Sequence, residues 1–223
     1  MKTIGLDEFE ICDAPALFDQ KSVLNVGSGP RSGNSLHTTF QSRAWREVRI
    51  DIDPATVPDV VGSFTDMRSS ISSGSFDAVW SSHSLEHLYS HEVPSALSEF
   101  RRILKSDGFA LIRCPDLEVV ASVLLDHGPD DVAYVSPIGP ITPLDILFGH
   151  SASIAAGKHH MAHKTGFTPA RLGRMLLTAE FATVLTRTER FDLWALALMA
   201  RTDKSAIRRQ FEAARFDMFD DLE

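Results

Sequence analysis

The sequence predicts an α/β fold built on a doubly wound, mostly parallel sheet of seven strands. Short apolar runs alternate with helical segments along the chain, and two further runs follow each other near the end with a very short link. Apolar runs without strict alternation are typical of strands buried on both faces. The predicted strands are Val23–Val26, Glu47–Ile52, Val60–Gly62, Phe76–Ser81, Phe109–Cys114, Ala182–Arg187 and Phe191–Ala200. Because no helix fits between the last two, we expect an antiparallel hairpin with an antiparallel last strand.

Apolar spacing predicts the helices between these strands. In Val93–Lys105 the apolar residues recur on one face, and Pro94 suits the first helical turn. Two more helices are expected over Ser35–Ala44 and Pro169–Phe181. Asp107-Gly108 is predicted to form the turn before the fifth strand. Strand–helix–strand units at this spacing imply parallel strands with right-handed crossovers.

The domain organisation is predicted to be simple. A chain of 223 residues suits one α/β domain, and no linker divides it. Residues 1–20 are interpreted as a leader that covers an edge of the fold, and residues 203–223 as a charged amphipathic helix. Residues 126–168 interrupt the strand–helix rhythm and are rich in proline and histidine. Because so long a departure is usually functional, we interpret this segment as an inserted lid on the acceptor side.

Charge and cysteine content exclude several classes of partner. The net charge of −8 argues against nucleic acid or an anionic membrane as the main partner. No apolar run approaches the roughly 20 residues that span a bilayer. With only Cys12 and Cys114 a disulfide framework is not expected, so a cytoplasmic location is predicted. Cys114, Trp80 and Trp194 are expected in the core. The oligomeric state is left open between a monomer and a homodimer.

A glycine turn is the main functional signal. The apolar run from Val23 ends in Gly27-Ser28-Gly29, which indicates a strand that turns tightly beneath a ligand. Asp51 follows on the next predicted strand, where a carboxylate can hold ribose hydroxyls. The glycines alone would fit a plain tight turn equally well. Together with Asp51 they favour a nucleoside-containing cofactor.

The residues after the turn indicate which cofactor. A dinucleotide site needs a third glycine where this chain has Ser32, and free N–H groups that hold pyrophosphate. Pro30 removes one such N–H, and the third glycine is displaced to Gly33. A cofactor without phosphate tolerates both changes. S-adenosylmethionine, which carries ribose, adenine and a methionine tail, is such a cofactor.

Four motifs in order resemble the class I S-adenosylmethionine-dependent methyltransferases, specifically the type 11 group. The matching segments are Leu24–Gly29, Ile50–Pro54, Phe76–Leu88 and Glu99–Phe109. The resemblance covers residues 22–115 well and implies a Rossmann-like sheet. It also implies methyl transfer from S-adenosylmethionine.

The resemblance also implies roles for individual residues. Gly27, Ser28 and Gly29 would lie against the methionine and ribose. Asp51 would bind the ribose hydroxyls. Three residues would contact adenine, namely Ile52, Asp66 and Met67. Three more would form the floor of the site beside the sulfonium, namely Ser81, Ser82 and His83. Two departures affect this set, since Asn25 replaces the usual acid of the first motif and Ser63 stands where the family often has Asp. Asn25 is kept as a cofactor contact and Asp66 as the substitute for the missing Asp.

His83 and His163 are the candidate catalytic residues. Methyl transfer requires alignment of nucleophile, methyl and sulfur, and a general base only when the acceptor is protonated. His83 follows the fourth strand, where ligands of open α/β sheets bind. His163, beside Lys164 in the lid, is expected to serve as an acceptor-side base or charge clamp. The alternatives are that His83 and His87 only pack or cap the loop, and that the lid is a solvated loop.

Two further interpretations concern Glu86 and metal binding. Glu86 would receive the cofactor's ammonium or form a surface pair. His159 and His163 lie four residues apart, but no carboxylate or cysteine stands beside them at metal-ligand spacing, so no metal is predicted.

The predicted function is methyl transfer from S-adenosylmethionine to an oxygen or nitrogen of a small-molecule acceptor. A non-catalytic S-adenosylmethionine-binding protein is the alternative from another class. A nicotinamide-dependent oxidoreductase is a third reading, which Pro30, Ser32 and the final strand pair disfavour.

Overall fold

A central seven-stranded sheet organises the protein in the computed structural model, which describes residues 20–31, 36–136 and 139–219. Its strands are β1 (Lys21–Val26), β2 (Trp45–Asp51), β3 (Val60–Val61), β4 (Phe76–Ser82), β5 (Leu104–Pro115), β8 (Thr183–Glu189) and β9 (Asp192–Leu198). Strands β6 (Tyr134–Ser136) and β7 (Gly139–Ile141) form a separate hairpin. The predicted leader, apart from residue 20, lies outside the described residues.

The sheet order is β3-β2-β1-β4-β5-β9-β8. β9 runs antiparallel to both β5 and β8, while the other neighbouring pairs are parallel. These pairings confirm the predicted doubly wound, mostly parallel sheet and its final hairpin. The last strand along the chain is not at the edge, because β9 inserts between β5 and β8. Chain order reverses between β1 and β4, which is where open α/β sheets bind ligands.

Helices cover both faces of the sheet. Those within the described residues are α1 (Val93–Ile103), α2 (Leu117–His127), α3 (Pro143–Phe148), α4 (Ser151–Ala155), α5 (Pro169–Thr178) and α6 (Lys204–Ala213). On one face Leu97 and Phe100 of α1 share a core with Leu176 of α5. On the other face Trp80 and Phe211 lie in a second core. None of the described helices has the length and apolar character that a membrane crossing requires.

The predicted core residues are buried. Trp80 and Trp194 stack with their ring centroids 5.9 Å apart. Cys114 is fully enclosed, and burial raises the pKa of its thiol well above the usual range. A thiol with this pKa stays protonated at neutral pH, so the prediction that Cys114 is a core residue and not a nucleophile is confirmed.

Two local predictions were wrong. In place of a helix over Ser35–Ala44, residues 36–44 contain only a 3-10 turn at Thr38–Phe40. β-branched Thr38 and Thr39 disfavour a longer helix, and Phe40 is buried among aromatic rings.

The predicted turn at Asp107-Gly108 lies instead inside β5. β5 begins directly after α1, and its register against β4 jumps from Phe76↔Leu104 to Ala78↔Phe109. A Cβ on Gly108 would lie 2.8 Å from the Asp77 carbonyl oxygen, so this irregular stretch needs glycine.

Helix α2 and the structure inside residues 126–168 were not predicted. Asp116 begins α2, because its Oδ1 accepts a hydrogen bond from the Glu118 N–H at 2.9 Å. The β6–β7 hairpin, α3 and α4 then fill the segment. Of its histidines, His159 and His160 lie in an exposed 3-10 turn, whereas His163 lies in a loop where its Nδ1 is 2.8 Å from the Ile146 carbonyl oxygen. The choice between a lid and a solvated loop stays open.

Candidate active site

The glycine turn follows β1 at the point where chain order reverses. Gly27 and Gly29 adopt φ angles of 61° and 62°, in the left-handed region that favours glycine. A Cβ on Gly27 would lie 2.5 Å from Ser84 Oγ, while a Cβ on Gly29 would meet nothing within 4 Å. Gly27 is thus required by packing against the loop after β4. Gly29 leaves open space at the edge of the sheet.

Asp51 holds this turn in place from the end of β2. Its Oδ2 accepts a hydrogen bond from the Gly29 N–H at 2.8 Å, and its Oδ1 accepts one from the Asp53 N–H at 2.9 Å. A carboxylate offers about four acceptor sites, so two remain for ribose hydroxyls. Ile52, which follows directly, is 64% exposed and offers an apolar surface at the same edge.

The loop after β4 brings a second group of polar side chains to this edge. Ser81 Oγ is fully buried and has no hydrogen-bond partner among the described residues. His83 has a left-handed φ of 49°, and its N–H donates to the Arg113 carbonyl at 2.8 Å. Non-glycine residues with such backbone angles occur often at functional sites.

His83 lies between two carboxylates. Its Nδ1 is 3.2 Å from Glu86 Oε1 and its Nε2 is 3.3 Å from Asp192 Oδ1. Burial alone would lower the pKa of His83, but the hydrogen bonds and charges of Asp192 and Glu86 outweigh it and raise the pKa to about 9. The imidazole is therefore protonated at neutral pH. This geometry favours a charged positioning group over the general base expected from the sequence.

Glu86 is the centre of a polar cluster under residues 126–168. It is 1% exposed, and its Oε2 has no hydrogen-bond partner among the described residues. Burial raises its pKa, but the hydrogen bond from His83 and the charges of His83, His87 and His163 outweigh this, so the net shift is downward. The carboxyl is therefore ionised, and the predicted surface pair is wrong because Glu86 is enclosed.

A cleft opens between the loop after β4 and residues 126–168. Its volume is about 160 Å³, and the lining residues include three histidines, two aromatic rings and a thioether: His83, His87, His163, Tyr134, Phe191 and Met161. Rings and a thioether beside three histidines give an apolar site with a few convergent polar groups, as small-molecule sites usually have.

Comparison with known proteins finds one family model and several solved structures similar to this chain. Residues 24–112 match the sequence model of the methyltransferase domain family. A S-adenosylmethionine-dependent methyltransferase from Archaeoglobus fulgidus superposes with a TM-score of 0.53 at 14% identity, over 82% of this chain and 88% of that chain. A possible histamine N-methyltransferase from Thermotoga maritima gives 0.51 at 12%, over 82% and 84%. The trans-methyltransferase CalH, solved with S-adenosylhomocysteine, gives 0.53 at 15%, over 81% and 52%.

The structural likenesses show a shared fold, and the family match covers residues 24–112, the part of the chain that carries the motifs. Those residues match a methyltransferase domain, and the fold is one that S-adenosylmethionine-dependent methyltransferases have. No curated protein matches the chain. The glycine turn, the spare acceptor sites of Asp51, the exposed Ile52 and the orphaned Ser81 hydroxyl fit the methyl donor, S-adenosylmethionine.

Three residues that the sequence assigned to the cofactor make other contacts in the structure. Asn25 lies within β1, where its Nδ2 donates to Glu47 Oε1 at 2.7 Å. Met67 is buried in the core, and its N–H donates to Glu99 Oε2 at 2.7 Å. Asp66 is exposed beside Arg68. The cofactor roles of these three residues stay predictions.

Sequence reasoning missed Arg113 and Asp192 in this site. Arg113 Nη2 donates to Asp192 Oδ2, and the Arg113 guanidinium lies 5.2 Å from the Trp194 ring centroid. Asp192 reaches His83 only because the start of β9 pairs with the end of β5. Finding these two residues would have required the register of β9 against β5, which a local sequence pattern does not predict.

Proposed function

We propose that this methyltransferase transfers a methyl group to an oxygen or nitrogen atom of a small-molecule acceptor bound beneath residues 126–168. The observation that supports this is the cleft of about 160 Å³ that starts at His83, directly after β4. β4 ends beside the glycine turn, so an acceptor in the cleft lies next to the donor's edge of the sheet. In this proposal the chain works as one domain, and residues 126–168 are its acceptor-side lid.

On the donor side the proposal assigns the cofactor to the turn and to the ends of β2 and β4. The residues assigned are Gly27, Ser28, Gly29, Asp51, Ile52, Ser82 and His83, with Asn25, Asp66 and Met67 around them. Asp51 accepts from the ribose hydroxyls with the lone pairs that the two backbone N–H groups leave. Ile52 supplies the exposed apolar contact for adenine.

On the acceptor side the chain aligns the nucleophile and excludes water. S-adenosylmethionine supplies an activated methyl group on a sulfonium. His163 is proposed to receive the acceptor's proton. The pKa of His163 is lowered overall, because burial, with the charge of His87, outweighs the charge of Glu86, which would raise it. A neutral imidazole can accept a proton at pH 7. His83, protonated between two carboxylates, fixes Glu86 and Asp192.

Calorimetry with S-adenosylhomocysteine tests the donor side. We expect micromolar binding to the wild type and at least a tenfold loss in Asp51→Ala. Asp53→Asn is the matched control, because an amide oxygen still caps the Ala55 N–H and Asp53 is not assigned to ribose. Equal losses in both variants would contradict the assignment of Asp51.

A screen of hydroxyl- and amine-bearing metabolites, read by S-adenosylhomocysteine release, tests the acceptor side. Once an acceptor is found, His163→Ala should lower kcat by at least tenfold and change the S-adenosylhomocysteine affinity less than twofold. Unaltered turnover in this variant would remove His163 from the proposal.

A further inference from the structure

Glu86, His87 and His163 form a cluster whose chemistry the methyl-transfer function leaves unexplained. One side-chain ligand atom from each residue lies within 4.8 Å of those of the other two. The His87 and His163 rings meet edge to face with centroids 4.9 Å apart. The residues come from two segments, the turn after β4 and the loop before α5, so the fold itself assembles the group.

Only one of the two carboxylate oxygens of Glu86 has a hydrogen-bond partner among the described residues. Oε1 is held by His83 at 3.2 Å, while Oε2 is buried without a hydrogen-bond partner among the described residues. A buried, ionised oxygen with no partner costs several kcal/mol unless a cation or donor joins it. The two nearby imidazoles do not donate to it. A cation bound beside Oε2 would offset this cost.

Both histidines are set up as metal ligands. Nδ1 of His87 lies 3.3 Å from the Ala162 carbonyl oxygen, and Nδ1 of His163 lies 2.8 Å from the Ile146 carbonyl oxygen. A carbonyl oxygen can only accept, so each ring carries a hydrogen on Nδ1, which leaves Nε2 as the atom that can bind a metal when the ring is neutral. Histidines that bind metals show this arrangement, with the second nitrogen donating to a carbonyl or carboxylate.

We propose that Glu86, His87 and His163 bind one divalent transition-metal ion, of which Zn²⁺ is the expected native ion. Two imidazoles and a carboxylate are a set used by catalytic zinc sites and by non-haem iron. Nitrogen ligands disfavour Mg²⁺ and Ca²⁺. Neighbouring ligands of a filled zinc site are about 3.4 Å apart, so small side-chain rotations accompany binding.

The surroundings of the cluster are ordered as metal sites require. The Lys164 N–H donates to the Glu86 carbonyl at 2.8 Å, and the His163 N–H donates to the Phe148 carbonyl at 3.0 Å. The first bond fixes the His163 loop against the turn that carries Glu86, and the second fixes it against the end of α3. His83 contacts the Glu86 carboxylate and is itself held by Asp192. Outer partners of this kind typically contribute a factor of about 10 to 100 to metal affinity.

The metal site differs from the one the sequence suggested and rejected. His159 lies four residues before His163, but its ring belongs to an exposed 3-10 turn and is not part of the cluster. The partners of His163 come from more than 70 positions earlier along the chain. Metal-ligand spacing in the sequence therefore gave no signal, because the missing carboxylate is distant in sequence.

The position of the site suggests its use, which rests on the proposed function. Three protein ligands leave at least one open position, and His87 and His163 line the acceptor cleft. We assign that position to an oxygen of the acceptor, so hydroxyl- or carboxylate-bearing acceptors fit best. A bound hydroxyl would release its proton to solvent, and its oxygen would then bond to the methyl carbon as the carbon–sulfur bond breaks. With the metal bound, His163 acts as its ligand, and the base role of the proposed function applies only to the metal-free protein.

Metal binding is tested without any acceptor. Full-length protein stripped with a chelator is titrated with Co²⁺, followed by ligand-field absorption, and with Zn²⁺, followed by elemental analysis after desalting. We expect one ion per chain in the wild type. Glu86→Gln and His163→Ala should each lower the affinity by at least tenfold. His159→Ala is the matched control from the same segment and should bind as the wild type does.

A second measurement uses only the wild type, in case a buried substitution prevents folding. Carbethoxylation of histidines, read by mass spectrometry, should be slowed by Zn²⁺ at His87 and His163 and unchanged at His159 and His160. Absence of metal binding by the wild type, an equal loss in His159→Ala, or protection confined to His159 and His160 would overturn the site. Calorimetry with S-adenosylhomocysteine on the same samples tests the proposed function separately from the metal site. If S-adenosylhomocysteine does not bind, the donor assignments are contradicted, but the measured metal binding is not.

Discussion

The two sides of the site are built in different ways. On the donor side, Gly27, Gly29 and Asp51 lie within 25 positions of one another, and their contacts are backbone hydrogen bonds around one turn. On the acceptor side, His83 meets Asp192, and His87 meets the loop that carries His163, across separations of more than 70 residues. A site whose residues are close in sequence can be recognised from a motif. A cluster of residues distant in sequence depends on strand register and on how residues 126–168 pack against the loop after β4.

The largest expected effect separates the two glycines of the donor turn. Gly27→Ala would place a methyl group 2.5 Å from Ser84 Oγ at a φ of 61°, so we expect a loss of about 3 kcal/mol in the free energy of unfolding. Gly29→Ala has nearly the same φ but open space, and should cost about 1 kcal/mol. Urea denaturation measures both values.

The same pair also distinguishes packing from ligand binding. Gly29→Ala should fold and still lose S-adenosylhomocysteine affinity, because its methyl group enters the cofactor's edge. Adding Ser84→Gly to Gly27→Ala should restore part of the stability. Equal destabilisation by the two alanines would show that packing against Ser84 does not decide the difference.

Acid should weaken the second core, which contains Trp80 and Trp194, at a higher pH than it weakens residues 126–168. His37 packs against Trp80, Trp194 and Phe216, and burial, helped by the Arg113 charge, lowers its pKa to about 4. Because the unfolded chain takes up this proton near pH 6.5, stability is lost as the pH falls from about 6.5 towards 4. The full loss is at most about 3 kcal/mol. His37→Asn, which keeps a capping oxygen for the Thr39 N–H, should flatten this part of the pH profile.

Asp116 tests how the acceptor side is anchored. Its Oδ1 caps α2 and its Oδ2 accepts from the Thr188 hydroxyl at 2.6 Å, with the residue 1% exposed. Asp116→Ala should cost about 2 kcal/mol and raise the KM for the acceptor, since α2 begins at the cleft. Asp203→Ala removes the exposed cap of α6 and should cost about 1 kcal/mol with unchanged kinetics. A change in donor affinity in Asp116→Ala would mean that the two sides are not built independently.

The smallest effect lies in the lid. The hydrogen bonds from Ser151 and Thr142 hold the pKa of Asp145 at about 2, against a burial effect that would raise it. The depressed pKa means that its stabilisation is present above about pH 3.8 and is lost as the pH falls towards 2. Solvent screening limits the contribution to about 1 kcal/mol. Hydrogen exchange of residues 142–153 in wild type and Asp145→Asn measures this loosening; protection that is equal in both would contradict it.

The sequence alone predicted the sheet and its final hairpin because these depend on short patterns; the donor residues come from a short pattern too, and stay predictions. It failed at Ser35–Ala44, where apolar spacing suggested a helix but two threonines and a buried Phe40 favour a single 3-10 turn. It failed again at Asp107-Gly108, because a turn-forming dipeptide also suits a bulge inside β5.

On the acceptor side the sequence pointed to His83 and His163 without their partners. Glu86 was recognised as a candidate, but its burial and the bonds from the Lys164 and Thr165 N–H groups to its main-chain carbonyl involve residues almost 80 positions away. Asp192 carried no signal at all, since its role comes from the register of β9 against β5. Long-range pairing of this kind has no local periodicity.

The insertion of β9 between β5 and β8 has a consequence for synthesis. β8 leaves the ribosome first, yet it touches β5 only through β9. One edge of β5 therefore stays unpaired until residue 198 has emerged, and both strands must then join together as a preformed hairpin. Arg113 and His83 also lack their carboxylate partner, Asp192, until β9 has been synthesised. The nascent chain can therefore form its donor turn before the ion pairs of the acceptor side exist.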